Sequence, residues 1–314
     1  MEKLTLMHPP AEAERAGIHT RNGVWLIALG AALWGVDPLF RILLLRYLTS
    51  AQIVLLEHLL LMLYAVPVLW LYRAELRGLK LRYAGALLFI SWGGSAIATI
   101  LFTNAFAQGN PNAVLLLQKL QPLFAILAAR LVLKETLPGR FLPLLALALG
   151  GTYLLTFGWS APIGHFGEIA GTGALLSVGA AALWGGSTVM GRLLVDRMRF
   201  ETVTALRFTL ALPLLFAMTW TEGAAWQQPQ LSAEWSGIAV SLLAQAFLPG
   251  LFSLLLYYRG LSNTKASVAT LAELSFPMVG VLLNWLVFHQ TVTLAQLLGF
   301  VLIWLCLYRL SRQQ

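Results

Sequence analysis

Ten apolar runs follow one another along this chain, near residues 24–44, 52–72, 83–107, 112–133, 141–159, 169–191, 202–220, 237–257, 266–288 and 294–310. Each is close to the ~20 residues that carry an α-helix across ~30 Å of hydrocarbon. Lipid offers the backbone no hydrogen-bond partner, so such a segment satisfies its own N–H and C=O groups by becoming a helix. The connections are too short to hold a soluble domain. Only 11% of the residues are charged and 59% are hydrophobic, against roughly 25% charged in a soluble domain, so the polar residues cannot coat a soluble globule. The expected fold is an all-α polytopic membrane protein with ten transmembrane helices. In a soluble chain the net charge of +8 would suggest a nucleic-acid partner. In an apolar one basic residues set orientation in the bilayer, and no nucleic acid is expected.

The basic residues are sorted along the chain. Lys3, Arg15 and Arg21 precede the first run. Arg73, Arg77, Lys80 and Arg82 fall in the second connection, Lys134 and Arg140 in the fourth, Arg192, Arg197 and Arg199 in the sixth, Arg259 and Lys265 in the eighth, and Arg309 and Arg312 at the end. Alternating helices put all of these on one side. On the other side residues 108–111, 160–168, 221–236 and 289–293 contain no Lys or Arg, and only the first outer connection has any, Arg46 with Arg41 near it. The positive-inside rule then places both termini in the cytoplasm and the protein in the cell inner membrane. Residues 1–22, with Glu2, Glu12, Glu14 and two prolines but no apolar core, are expected to be a polar tail rather than a signal peptide. Cys306 is the sole cysteine and lies in an apolar run, where packing is its expected role.

The chain repeats itself. Ala31-Ala32-Leu33-Trp34-Gly35 recurs as Ala181-Ala182-Leu183-Trp184-Gly185, an offset of 150 that Trp70 and Trp220 keep. Further on the offset is 155, where Leu116, Pro122, Leu127, Leu131, Val132 and Thr136 match Leu271, Pro277, Leu282, Leu286, Val287 and Thr291. Two halves are expected, residues 23–159 and 160–314, of five helices each. An odd number inverts the second copy, and inverted repeats set a binding site near the midplane and allow alternating access.

Ionisable groups inside the spans are costly, about 2.5–3.5 kcal/mol each at the bilayer centre, so each needs protein or water beside it. Asp37, Glu57, Lys119, Arg207 and Glu273 are of this kind. Lys119 and Glu273 lie in equivalent helices and are expected to meet near the pseudo-twofold axis, either to hold a charged group of the cargo or as a structural ion pair. Trp34, Asp37 and Arg41 share a helix face, and Pro38 beside them frees a carbonyl. A cavity mouth and an interfacial ion pair are the two readings of that group. Glu57 and Arg207 occupy equivalent positions with opposite charge; gating or coupling is one role for them, snorkelling to a nearby interface the other. Ser91, Ser95, Thr99, Thr103 and Phe106 form a stripe on the third helix, with Trp92 and Asn104 close by, suited to a pathway or to a helix contact. Trp25, Trp70, Trp159, Trp220 and Trp235 fall near span ends and read as an interfacial belt. Trp34 and Trp184 lie deeper, as a cavity wall or as packing.

The stretches Leu117-Gln118-Lys119-Leu120-Gln121-Pro122, running on to Glu135, and Ala272-Glu273-Leu274-Ser275-Phe276-Pro277, together with the two Ala-Leu-Trp-Gly helices, resemble the EamA family of the drug/metabolite transporter superfamily over residues 23–310. The resemblance implies export of a small metabolite, such as an amino acid or related solute, through a cavity between the first, third, fourth, sixth, eighth and ninth helices. Trp34, Asn104, Gln118, Lys119, Trp184 and Glu273 are its candidate substrate-binding residues, with Asp37, Glu57 and Arg207 for gating or coupling. The sequence departs from the family where Gln290 stands opposite Glu135, and where Glu57-His58 replaces an Arg like Arg207. A coupling proton on Glu273, Glu57 or Asp37 is one driving force and facilitated diffusion the other. No cofactor is implied. A lipid or lipid-carrier flippase on the same fold is the alternative. An integral-membrane enzyme is disfavoured, because no metal-ligand spacing, phosphate loop or nucleophile elbow occurs.

Overall fold

A computed structural model describes residues 20–109, 111–137, 141–160, 171–226, 232–286 and 291–312. Residues 1–19 of the tail, Arg140, Val287 and Gln290 lie outside them. Among the described residues the elements are helices: α1 Gly23–Leu44, α2 Ser50–Leu71, α3 Leu81–Gln108, α4 at 111–133, α5 Phe141–Phe157, α6 Thr172–Val195, α7 Phe200–Glu222, α8 Glu234–Leu261, α9 at 266–286 and α10 Leu294–Ser311. Six of them, α1, α2, α3, α6, α7 and α8, are long and apolar enough to cross a membrane; Gln121–Leu133, Phe141–Phe157, Ala266–Val279 and Leu294–Leu310 are shorter apolar helices. Their starts are locally encoded in places. Thr49 accepts from the Gln52 backbone N–H while Gln52 accepts from that of Thr49, a reciprocal cap that satisfies donors the first turn leaves over.

Three helices are broken, and each break precedes a proline. α1 divides between Trp34 and Asp37, ahead of Pro38; α4 divides between Gln118 and Gln121, ahead of Pro122; α9 tightens to a 3₁₀ turn over Glu273–Ser275, ahead of Pro277. Proline has no N–H to give and its ring crowds the carbonyl four residues back. Those carbonyls belong to Trp34, Gln118 and Glu273. Thr188 stands where the repeat would put a counterpart of Pro38, and α6 runs unbroken over Thr172–Val195. The third helix of each half widens instead, α3 over Phe89–Ile97 and α8 over Ala246–Phe252, into π-helical turns of the kind that gather at functional sites.

The halves grip each other helix by helix: α2 packs on α7, α1 on α8 and α9, α6 on α3 and α4, and α5 on α10. The repeated glycine explains one of these seams. A Cβ on Gly35 would lie 2.8 Å from the Phe276 carbonyl oxygen and 2.6 Å from Val279 Cβ, and one on Gly185 would lie 2.8 Å from the Gln121 carbonyl oxygen and 2.9 Å from Phe124 Cβ. Gln121 and Phe124 are Phe276 and Val279 displaced by the offset of 155. The first helix of each half thus rests on the broken fourth helix of the other. Glu135, just after α4, accepts from the Ala266 and Ser267 backbone N–H groups at 2.9 and 3.1 Å and from Ser267 Oγ at 2.8 Å, which caps α9 with a negative charge where its dipole favours one.

Tyr258, Ile27, Leu194, Leu271 and Ile303 are fully buried in the main core. Large apolar side chains also cover the outside, Leu63 and Leu175 among them, which suits a surface solvated by lipid. Trp70, Trp159, Trp220 and Trp235 are exposed, as an interfacial belt requires, whereas Trp25 packs on Trp304 with ring centroids 5.3 Å apart.

Candidate substrate cavity

The breaks and π turns converge on one cavity of about 170 Å³. Eight helices supply its walls, with α5 and α10 outside; α2 and α7 join the six expected from the family resemblance, through Glu57, His58, Arg207 and Phe208. Eight of the nine candidate residues line it: Trp34, Asp37, Glu57, Gln118, Lys119, Trp184, Arg207 and Glu273. Asn104 does not. Two residues past Phe102, it is turned by about 200° from that cavity-lining position, and its Oδ1 accepts from Ser50 Oγ at 2.5 Å.

Polar contacts inside the cavity form three groups. In the first, Arg41 donates to both Asp37 oxygens at 2.6 and 2.7 Å and to Thr103 Oγ1 at 3.0 Å, and its Nη2 stands 3.3 Å from Glu57 Oε1. Gln245 donates to the same Asp37 carboxylate. Arg41 is only 3% exposed, so the pair is shielded inside the protein and ties α1, α2 and α3 together. In the second, Arg207 donates to Ser95 Oγ at 2.7 Å and to Tyr258 Oη at 2.8 Å. Glu57 and Arg207 are both buried within the protein, Arg207 against Ser95 in the π turn of α3 and Glu57 beside Arg41 of α1.

The third group joins Lys119 to Glu273 without bringing them into direct contact. They form no ion pair. Lys119 Nζ donates to Gln118 Oε1 at 2.7 Å and sits 3.4 Å from the centroid of the Phe276 ring. Gln118 then donates to Gln121 Oε1 at 2.8 Å, and Gln121 donates to Glu273 Oε2. Two amides therefore relay one charge to the other across the break in α4. Glu273 Oε1 accepts from Tyr257 Oη at 2.6 Å and from Thr188 Oγ1 at 3.2 Å. A buried carboxylate so satisfied is stable without a direct cation.

The two repeated tryptophans line the wall in equivalent ways. Trp34 packs against Tyr257 at 5.2 Å and Trp184 against Phe102 at 5.0 Å, and Tyr257 is Phe102 displaced by 155. Trp184 Nε1 also donates to the Gly94 carbonyl at 2.9 Å, inside the π turn of α3. Of the hydroxyl stripe, Ser95 and Thr99 reach the cavity, while Ser91 and Thr103 bond carbonyls of their own helix at 2.7 Å. Reading the sequence for charges missed Gln121, Gln245, Tyr257 and Thr188. Each is a polar group within an apolar run, and that was the signal available.

Comparison with known proteins bears on this architecture. Over 298 residues, 93% of this chain and 98% of the relative, the chain is 30% identical to the riboflavin transporter ImpX of Fusobacterium nucleatum subsp. nucleatum. A solved crystal structure superposes with TM-score 0.71 at 16% identity, covering 93% of this chain and 98% of that one, a likeness of fold. The model of the EamA-like transporter family matches twice, over residues 21–157 and 171–312. With both halves matched, this multi-pass membrane protein belongs to the EamA-like transporter family.

Proposed function

We propose that the chain is a ten-span secondary transporter of the cytoplasmic membrane, with both termini in the cytoplasm. Its two inverted halves, residues 23–159 and 160–314, rock about the cavity to expose it alternately to each side. The observation that carries this reading is the cavity itself, walled by both halves where the helices are broken. The paired seams at Gly35 and Gly185 support the rocking, since equivalent contacts exchange when inverted halves exchange conformations.

For the cargo, the cavity favours a flavin over an amino acid. Asp37, Glu57 and Glu273 balance Arg41, Lys119 and Arg207, all of them lining residues, and each is held by a partner in the protein, so no charge is left over for the ammonium and carboxylate of an amino acid. Two aromatic pairs, Trp34 with Tyr257 and Trp184 with Phe102, offer flat apolar faces to a planar ring. The relative named as a riboflavin transporter is consistent with that chemistry. The test is flux of riboflavin into and out of proteoliposomes, with and without a pH gradient, competed by a panel of amino acids. We expect riboflavin flux that amino acids do not compete, and faster release than uptake if the protein exports. Lys119→Met with Glu273→Met is expected to fold and to lose most of the flux, because both the relay and the carboxylate's partners face the cargo. Flux of amino acids alone would overturn the reading.

A further inference from the structure

Four polar atoms on the cavity's lining residues make no hydrogen bond with the protein: Glu57 Oε1, His58 Nε2, Ser187 Oγ and Gln245 Oε1. Their residues are 6%, 4%, 3% and 1% exposed, so all are deeply buried, where an unpaired polar atom is expensive. Three of the four can only accept. His58 Nδ1 lies 2.8 Å from the Val54 carbonyl, which cannot donate, so Nδ1 holds the ring proton and Nε2 presents a lone pair. Gln245 uses its amide nitrogen on Asp37 and is left with its oxygen. Glu57 Oε1 is a carboxylate oxygen 3.3 Å from Arg41 Nη2, in the ion pair but not in a hydrogen bond.

We infer that Glu57, His58 and Gln245, with the Ser187 hydroxyl, form a subsite for hydrogen-bond donors on the cargo, and that its occupant is a neutral polyhydroxylated chain. The inference deepens the flavin reading and rests on it. An ammonium group would also donate, but here it would face Arg41 at the same carboxylate and Arg207 across the same cavity. A row of hydroxyls meets no such repulsion. It supplies several donors along one chain, which matches acceptors spread over α2 and α8, and the ring is left to the tryptophan pairs.

Equilibrium dialysis of the purified protein against riboflavin and against lumiflavin, which carries a methyl group in place of the polyol chain, tests this. Riboflavin is expected to bind roughly 10- to 100-fold more tightly, as for one or two well-made hydrogen bonds. Ser187→Ala and His58→Phe should each shrink that ratio severalfold while leaving lumiflavin affinity in place; Ser187→Ala carries the test if His58→Phe does not fold. Equal affinity of the wild type for the two flavins, or a ratio unchanged by both substitutions, overturns the subsite and leaves the flavin reading standing. Failure to bind either flavin overturns both.

Discussion

Replacing Gly185 by Ala tests the seam between the halves. The new methyl group would sit 2.8 Å from the Ala125 amide nitrogen and 2.8 Å from the Gln121 carbonyl oxygen, both backbone atoms of α4, so no side chain can swing aside. Overpacking of this kind costs about 1–3 kcal/mol. Alanine returns up to about 1 kcal/mol in helix propensity, which leaves a net loss of up to about 2 kcal/mol. Gly237→Ala on α8 is the control, because nothing lies within 4 Å of its added Cβ and only the propensity gain applies. Apparent Tm in detergent, read by loss of the monodisperse peak after heating, should therefore fall for Gly185→Ala relative to Gly237→Ala, by roughly 2–4 °C per kcal/mol. Because the displaced carbonyl belongs to Gln121, flux should fall as well. If Gly185→Ala melts at or above the control, the close approach of α6 to the break in α4 is wrong.

Glu135→Ala strips the acceptors from the first turn of α9 and should lower stability by about 1–2 kcal/mol, measured by the same thermal assay; an unchanged Tm would show that the capping contacts contribute nothing. On a Cys306→Ser background, Trp159→Cys and Ala224→Cys should react with an impermeant maleimide added outside intact cells, and Arg77→Cys and Asn263→Cys should not. The reverse pattern would invert the topology.

Much of the architecture is legible in the residues, and the reasons differ from place to place. Trp34 and Gly35 recur at 184 and 185 because one ring must meet the cavity and one bare backbone must meet a broken helix, twice. Pro38, Pro122 and Pro277 mark breaks through their own covalent chemistry. The π turns carry no common mark: Gly93-Gly94 in α3 corresponds to Leu248-Pro249 in α8, two unlike pairs within the same widened backbone. The cavity's charges stand out against an apolar background, but their partners do not. Lys119 and Glu273 look like an ion pair on paper, and the amides of Gln118 and Gln121 turn them into the ends of a relay. Gln245 stands opposite Ile90 and His58 opposite Phe208 in the repeat, so internal symmetry points away from both. Asymmetric chemistry on a symmetric frame is what a sequence repeat conceals.

The crossed packing of the halves also sets the order in which the protein can be assembled. Asp37, Glu57 and Thr103, the partners of Arg41, all lie within the first three helices, so that charge cluster can close while the rest of the chain is still on the ribosome. Arg207 must find Ser95 behind it and Tyr258 ahead of it, and Glu273 must find Gln121. Gly35 meets Val279, some 244 residues later in the sequence, which at ~5–20 residues per second takes roughly 12–50 s of synthesis. Until then α1 has α8 beside it but lacks α9. A nascent chain halted before α9 would therefore hold a finished ion cluster and an unfinished cavity, with the walls of the site closing as the last act of folding.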